Sequence, residues 1–147
     1  MIKGIIFDFG YTIYDPDKQS LLPEVLALLE KLKGKFKLAL ISRTADPEKR
    51  LQQIEELGLN KWFEAVAVTP KGENKDLEQF LEKLKLSPEE TLVVGDRVDS
   101  EIRQGNLLGM QTAHFNYGPR QEIKPQSEAE KAKFEINNLA EIENLIL

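Results

Sequence analysis

The sequence predicts an α/β fold in which a doubly wound parallel sheet lies between two layers of helices. Short runs of β-branched and aromatic residues alternate with segments whose apolar residues have helical spacing, along nearly the whole chain. The first apolar run, residues 5–7, stops at Asp8 and is followed by Phe9 and Gly10, which is typical of a buried strand that ends at an acid. Right-handed crossovers then favour the strand order 3-2-1-4-5.

Each predicted strand is a short apolar run bounded by turn residues. The five main strands and a short sixth are predicted at residues 2–7, 36–41, 62–68, 91–94, 110–116 and 134–136. The helices between them are predicted at residues 21–33, 46–57, 77–86, 100–108 and 139–146. The pair Asp46-Pro47 favours a helix start, and Gly34, Gly58 and Gly109 favour helix ends.

Length, charge and cysteine content restrict the function classes. We expect one domain spanning residues 1–147, because a chain of this length is one domain by default. The chain has no cysteine, which excludes disulfides and thiolate metal sites. The net charge of −5 and the absence of a basic cluster disfavour nucleic acid as a partner. No segment resembles a signal peptide or a membrane span, and we expect a cytoplasmic protein.

Polar residues at the strand ends predict a site for phosphate chemistry. Asp8 ends the first strand and Asp96 follows the fourth, and these strands are neighbours at the switch point, where ligands bind in such sheets. Two close carboxylates repel unless a cation lies between them, and oxygen ligands suit Mg²⁺. Ser42 ends the second strand and Lys71 follows the third. The set favours an aspartate nucleophile with a metal and a lysine that neutralise phosphoryl oxygens.

Three segments of the sequence are similar to the motifs of the haloacid dehalogenase (HAD) superfamily, and the resemblance covers essentially the whole chain. The first, GIIFDFGYTIYD, carries the nucleophile position at Asp8, and the second, LALISRT, carries Ser42. The third, TPKGENKDLEQFLEKLKLSPEETLVVGDRVDSEI, resembles the joined third and fourth motifs. The resemblance implies a Rossmann-like fold and a Mg²⁺-dependent phosphatase that forms an aspartyl-phosphate on Asp8.

The resemblance also implies roles for the matching residues. Mg²⁺ would be held by Asp8, the backbone carbonyl of Gly10 and Asp96, while Ser42 and a lysine bind the phosphoryl group. Lys71 is preferred as that lysine because its distance to the fourth motif fits the family spacing, with Lys75 as its rival. Arg43 and Arg97 flank the site as substrate contacts or as members of surface ion pairs. Three further residues would support the direct ligands without contacting the metal or the phosphoryl group themselves: Thr12, Asp99 and Glu101.

The sequence departs from the family pattern at Gly10. Most phosphatases of the family have a second aspartate there, which protonates the leaving group and activates water, a contribution of roughly 10²–10⁴-fold. A glycine can supply the backbone carbonyl for a metal but no proton. The hypothesis is a slow or selective phosphohydrolase that uses good leaving groups or a substitute acid such as Tyr11, Tyr14 or water.

The second departure is that residues 13–35 and 43–70 leave no room for a cap domain. An open site favours a large phosphorylated substrate, a macromolecule included, or a lid borrowed from a second copy in a homo-oligomer, and the substrate itself is not identified. The alternative from another class is a catalytically inactive phosphate-binding or regulatory protein. A receiver domain is disfavoured because its lysine follows the last site strand, whereas Lys71 comes before the fourth strand. A dehalogenase is disfavoured because the cap that forms its halide pocket is missing.

Overall fold

The computed structural model describes residues 1–146 and shows a six-stranded parallel sheet. The strands are numbered along the chain, and β2 (Tyr14–Asp15) and β3 (Ser20–Leu21) form a separate hairpin. The order across the sheet is β5-β4-β1-β6-β7-β8. The predicted order 3-2-1-4-5 is therefore confirmed, and the sixth strand is added at the edge beyond the fifth. The strands are β1 (Gly4–Asp8), β4 (Lys37–Thr44), β5 (Ala65–Pro70), β6 (Thr91–Gly95), β7 (Gln111–Phe115) and β8 (Phe134–Ile136).

Helices cover both faces of the sheet. They are α1 (Val25–Leu32), α2 (Pro47–Glu56), α3 (Glu78–Leu84), α4 (Arg103–Leu108) and α5 (Ile142–Ile146). The side chains of β1 alternate between two cores, as a strand buried on both faces requires. Ile5 and Phe7 join the core under α1, α2 and α5. Ile6 joins the core that contains Phe80 of α3.

The helix predicted at residues 21–33 begins later than expected, because a small hairpin precedes it. Strands β2 (Tyr14–Asp15) and β3 (Ser20–Leu21) pair antiparallel, and α1 starts only at Val25. The Asp15 carboxylate accepts hydrogen bonds from the backbone N–H groups of Asp17 and Lys18, at 2.9 and 3.2 Å, and so fixes the turn. Apolar spacing alone does not distinguish such a turn from a first helical turn.

Other boundaries also differ from the prediction by a few residues, and two of these differences affect the polar residues at the strand ends. Strand β4 continues to Thr44, three residues past its predicted end, so Ser42 lies inside the strand rather than at its last position. The helix predicted at residues 100–108 begins with a π-helical turn, Val98–Ile102, and becomes α-helical only at Arg103. Such single π turns are frequent at functional sites.

The sheet brings the carboxyl ends of three strands to one edge. Strand β1 pairs with β4 on one side, with Asp8 opposite Ile41, and with β6 on the other side, with Phe7 opposite Val94. Asp8 therefore ends the strand at the switch point of the sheet, where β4 lies on one side of β1 and β6 on the other. Residues 1–146 contain no cap domain over this edge, and no helix among them is long and apolar enough to cross a membrane.

We expect Phe80→Ala to lower the free energy of unfolding by about 3–5 kcal/mol, because Phe80 is fully buried in the core under α3. The control is Leu107→Ala, at a side chain that is 62% exposed, where the change should stay within about 0.5 kcal/mol. Urea unfolding followed by circular dichroism measures both. Equal losses for the two variants would contradict the assignment of this core.

Candidate active site

Asp8 and Lys75 form a buried ion pair at the end of β1. The Lys75 Nζ lies 2.7 Å from Asp8 Oδ1 and 3.1 Å from Glu101 Oε2. The Lys75 side chain is only 5% exposed, and Glu101 is fully buried. Burial alone would lower the pKa of Lys75, but the charges of Asp8 and Glu101 outweigh it and raise that pKa above its ordinary value. Lys75 is therefore a permanent cation that joins two separate carboxylates.

This arrangement corrects the choice between the two lysines. The sequence favoured Lys71, which the structure instead places exposed at the end of β5, with its backbone N–H bonded to the carbonyl of Thr44. Lys75 contacts Asp8 because four further loop residues carry the chain back across the edge of the sheet before α3 begins. Spacing along the sequence did not show the path of that loop.

The segment after β6 supplies the remaining carboxylates. Asp96 is fully buried, and its Oδ2 accepts a hydrogen bond from Arg120 Nη1 at 3.2 Å. Glu101 turns back within the π-helical segment, so that its Oε1 accepts from the backbone N–H of Arg97 at 3.0 Å. A Cβ on Gly95 would lie 2.3 Å from the Glu101 Cγ. The glycine before Asp96 is therefore required by the buried Glu101.

The carboxylates form a cluster that fits a divalent cation. One oxygen from each of Asp8, Asp96 and Glu101 lies within 4.8 Å of the others. Burial first, and then the charges of Asp8 and Glu101, raise the pKa of Asp96 to about 8. Within residues 1–146 the buried Asp96 Oδ1 has no hydrogen-bond partner, and such an oxygen is costly unless it is paired. These hard oxygen donors suit Mg²⁺.

Glu101 and Asp99 were both predicted to support the metal ligands, and the structure separates them. Glu101 is occupied by Lys75 and by the backbone of Arg97. Asp99 lies nearer the surface and accepts two hydrogen bonds from the Arg97 guanidinium, both at 2.9 Å. Glu101 therefore fits the predicted supporting role, whereas Asp99 fixes Arg97 at the rim.

Ser42 lies at the site with an unexpected partner, Arg50. The Arg50 Nη1 donates to Ser42 Oγ, and its Nε donates to Gln53 Oε1 at 3.1 Å. The guanidinium also lies 4.8 Å from the centre of the Phe9 ring, a cation–π distance. Sequence reasoning missed Arg50. Its position four residues before the buried Ile54, on the same face of α2, was the available signal.

These residues surround a small polar pocket of about 130 Å³ above Asp8. Arg43, a predicted substrate contact, lines it and donates to the backbone carbonyl of Glu73 at 3.3 Å. Arg120, which lies in a loop that the sequence left unassigned, also lines it. The full lining is Asp8, Gly10, Tyr11, Pro16, Ser42, Arg43, Arg50, Lys75, Arg97 and Arg120. An anion in this pocket would meet several cations.

The remaining predicted residues lie in the loop that follows Asp8. Thr12 is fully buried, and its backbone N–H bonds to the carbonyl of Phe9 at 3.3 Å. A Cβ built on Gly10 would have nothing within 4 Å. The backbone conformation of Gly10 is also not restricted to glycine. A Cβ at position 10 would therefore fit without strain.

Neither tyrosine of this loop is placed well as a substitute acid. The Tyr11 hydroxyl donates to Asp17 Oδ1 at 3.1 Å, and burial together with Asp17 raises the pKa of Tyr11. A raised pKa works against proton donation near neutral pH. Tyr14 stacks on Phe9, with the ring centres 4.9 Å apart, and is largely buried.

Comparisons with known proteins agree with this architecture. The chain is 28% identical over 130 residues to the glyceraldehyde 3-phosphate phosphatase of Methanopyrus kandleri, an alignment covering 84% of this chain and 55% of the relative. It is 30% identical over 107 residues to the protein of the same name from Pyrococcus furiosus, covering 69% of this chain and 45% of the relative. The chain thus spans about half the length of these curated relatives.

The fold matches a solved structure over its whole length. A HAD-superfamily hydrolase of subfamily IA from Geobacter sulfurreducens aligns with a TM-score of 0.74 and 14% identity, covering 99% of this chain and 100% of the other. The sequence profile of the haloacid dehalogenase-like hydrolases matches residues 3–109, the region that contains Asp8, Ser42, Lys75 and Asp96. The chain belongs to the haloacid dehalogenase-like hydrolase family.

Proposed function

We propose that this chain is a Mg²⁺-dependent phosphohydrolase that acts through an aspartyl-phosphate on Asp8. The observation that carries the proposal is the buried cluster in which Lys75 joins Asp8 to Glu101 beside the unpartnered oxygen of Asp96. A single acid would be enough for a lysine that only stabilised the fold, whereas three buried carboxylates cluster at the open edge of this sheet. Asp8, Asp96 and the Gly10 carbonyl would hold Mg²⁺, which when bound would neutralise charge on the phosphoryl oxygens.

The side chains of the pocket support the two chemical steps. Asp8 attacks phosphorus, and the bond from phosphorus to the ester oxygen breaks, so that the leaving group departs with the bonding electrons. Water then attacks the phosphorus of the aspartyl-phosphate, which releases phosphate and restores Asp8. Lys75 orients Asp8 through a 2.7 Å contact, and Ser42 with Arg50 would donate hydrogen bonds to the phosphoryl oxygens.

In this scheme no side chain protonates the leaving group, which takes its proton from water. Gly10 supplies no carboxylate, and the Tyr11 hydroxyl is bonded to Asp17. Esters of acidic alcohols or phenols need little protonation, so we propose that they are the better substrates. The named activity of the relatives, on glyceraldehyde 3-phosphate, supports a small phosphate ester as one candidate.

We expect the protein to hydrolyse p-nitrophenyl phosphate when Mg²⁺ is present, because this leaving group needs little protonation. Asp8→Asn should lower kcat by at least about a thousandfold, because it removes the nucleophile. Excess EDTA should abolish turnover in the parent protein. Full turnover in Asp8→Asn would disprove the aspartyl-phosphate, whereas phosphate binding without turnover in the parent would favour a phosphate-binding regulatory protein.

We expect Gly10→Asp to raise kcat for glycerol 3-phosphate by about 10²–10⁴-fold, because a carboxylate there can protonate a poor leaving group. The open space at position 10 means that the variant should retain the stability of the parent. Gly10→Asn is the control, since its amide has a similar size but transfers no proton. The ratio of turnover on glycerol 3-phosphate to that on p-nitrophenyl phosphate measures the effect, and an unchanged ratio would refute it.

We expect Arg50→Met to lower kcat/KM for p-nitrophenyl phosphate by about 10- to 100-fold, the value of a charge-assisted hydrogen bond. The inhibition constant of inorganic phosphate should rise in parallel, and Arg50→Lys should restore part of the loss. Lys61→Met, at the far edge of the sheet before β5, is the control for removing one positive charge. A change in melting temperature with an unchanged inhibition constant would assign Arg50 to stability alone.

A further inference from the structure

A second pocket adjoins the 130 Å³ pocket above Asp8, which we call the phosphoryl pocket, and most of the lining of this second pocket is cationic. We call it the rim pocket; it has a volume of about 370 Å³. Its lining consists of Arg43, Thr44, Lys71, Gly72, Arg97 and Arg120. Four of these six residues are cations and none is an acid, in a chain whose net charge is −5. Such a local concentration of positive charge favours an anionic ligand.

The two pockets are adjacent. Arg43, Arg97 and Arg120 line both of them. A ligand whose phosphoryl group lies above Asp8 would therefore have the rim pocket beside it. The rim pocket is thus placed to receive another part of the same molecule.

The cations of the rim pocket are only partly neutralised by the protein. Arg97 is paired with Asp99 and Arg120 with Asp96. Arg43 donates to the neutral backbone carbonyl of Glu73. Lys71 is exposed and forms no ion pair within the described part of the chain. Within the described residues, Arg43 and Lys71 therefore form no ion pair with an acid.

A third pocket, of about 680 Å³, borders the phosphoryl pocket on its other side, and we call it the α2 cleft. Its lining includes Lys49 and Arg50 but also the acids Asp46 and Glu56. Its mixed charge suits a neutral polar group and disfavours an anion. The rim pocket and the α2 cleft therefore differ in the type of leaving group that each would accept.

We propose that the rim pocket binds a second anionic group of the substrate, a carboxylate or a phosphate, in addition to the phosphoryl group over Asp8. The proposal rests on the proposed function for the position of that phosphoryl group. The substrate class is then a phosphate ester that carries a second anion a few bonds away. Arg43 and Lys71 provide the charge that distinguishes it from a neutral ester of the same size.

The test compares ligands that share one carbon skeleton. Dissociation constants of glycerol 3-phosphate, 3-phosphoglycerate and glycerol 1,3-bisphosphate are measured by calorimetry with Mg²⁺, in an Asp8→Asn background where no ester is consumed. We expect at least one of the two ligands with a second anion to bind about tenfold more tightly than glycerol 3-phosphate. The tighter of the two identifies a carboxylate or a phosphate. The preference should also weaken as salt is added.

Substitutions in the rim pocket then locate the effect. Lys71→Met and Arg43→Met should each reduce the preference by about threefold or more, while Lys61→Met leaves it unchanged. Equal affinities for all three ligands, binding of none of them, or a preference insensitive to both rim variants would overturn the proposal. Failure of the proposed function is read separately, as absent turnover of p-nitrophenyl phosphate by the protein with Asp8 intact.

Discussion

The buried contact of Lys75 with Asp8 and Glu101 is the interaction on which the arrangement of the site depends. Its three members come from the end of β1, the loop before α3 and the π-helical turn after β6. Removal of one member would leave an uncompensated charge in the protein interior, which is far more costly than the loss of a surface ion pair. The contact therefore couples the path of a loop, the geometry of a helix start and the orientation of the proposed nucleophile.

The π-helical turn and Gly95 are consequences of the same contact. Glu101 reaches the backbone N–H of Arg97 and the Lys75 ammonium only because the chain turns back over Gly95, where a methyl group would overlap its side chain. His114 supports the same segment from β7, with its Nε2 lying 3.1 Å from the carbonyl oxygen of Asp96. The positions of the carboxylates are thus held by backbone contacts as well as by charge.

The sequence was sufficient for what depends on periodicity and on strand order. The alternation of apolar runs predicted the central position of Asp8, and the crossover rule predicted the strands on either side of it. It was not sufficient for what depends on the route of a loop. Lys71 and Lys75 lie in the same polar segment, and only the fold shows which of them turns inward.

Side chains reaching the site from outside the recognised motifs were missed for a similar reason. Arg50 belongs to a helix whose sequence is that of an ordinary amphipathic segment, and Arg120 to a short 3₁₀ turn, Pro119–Glu122, within a polar segment. The hairpin at residues 14–21 was missed because its turn is fixed by the Asp15 carboxylate, a local contact that apolar spacing does not report. Spacing along the chain indicates which face of an element a side chain lies on, but not which side chain of another element it contacts.

The empty space around Gly10 has a consequence for how this sequence can change over time. Glycine codons that end in a pyrimidine become aspartate codons through one base change, and a Cβ at position 10 meets no atom within 4 Å. From such a codon, a carboxylate at position 10 is one mutational step away, and the space around its Cβ calls for no compensating substitution. Gain and loss of a carboxylate at this position are therefore both accessible to drift without a change in the surrounding fold.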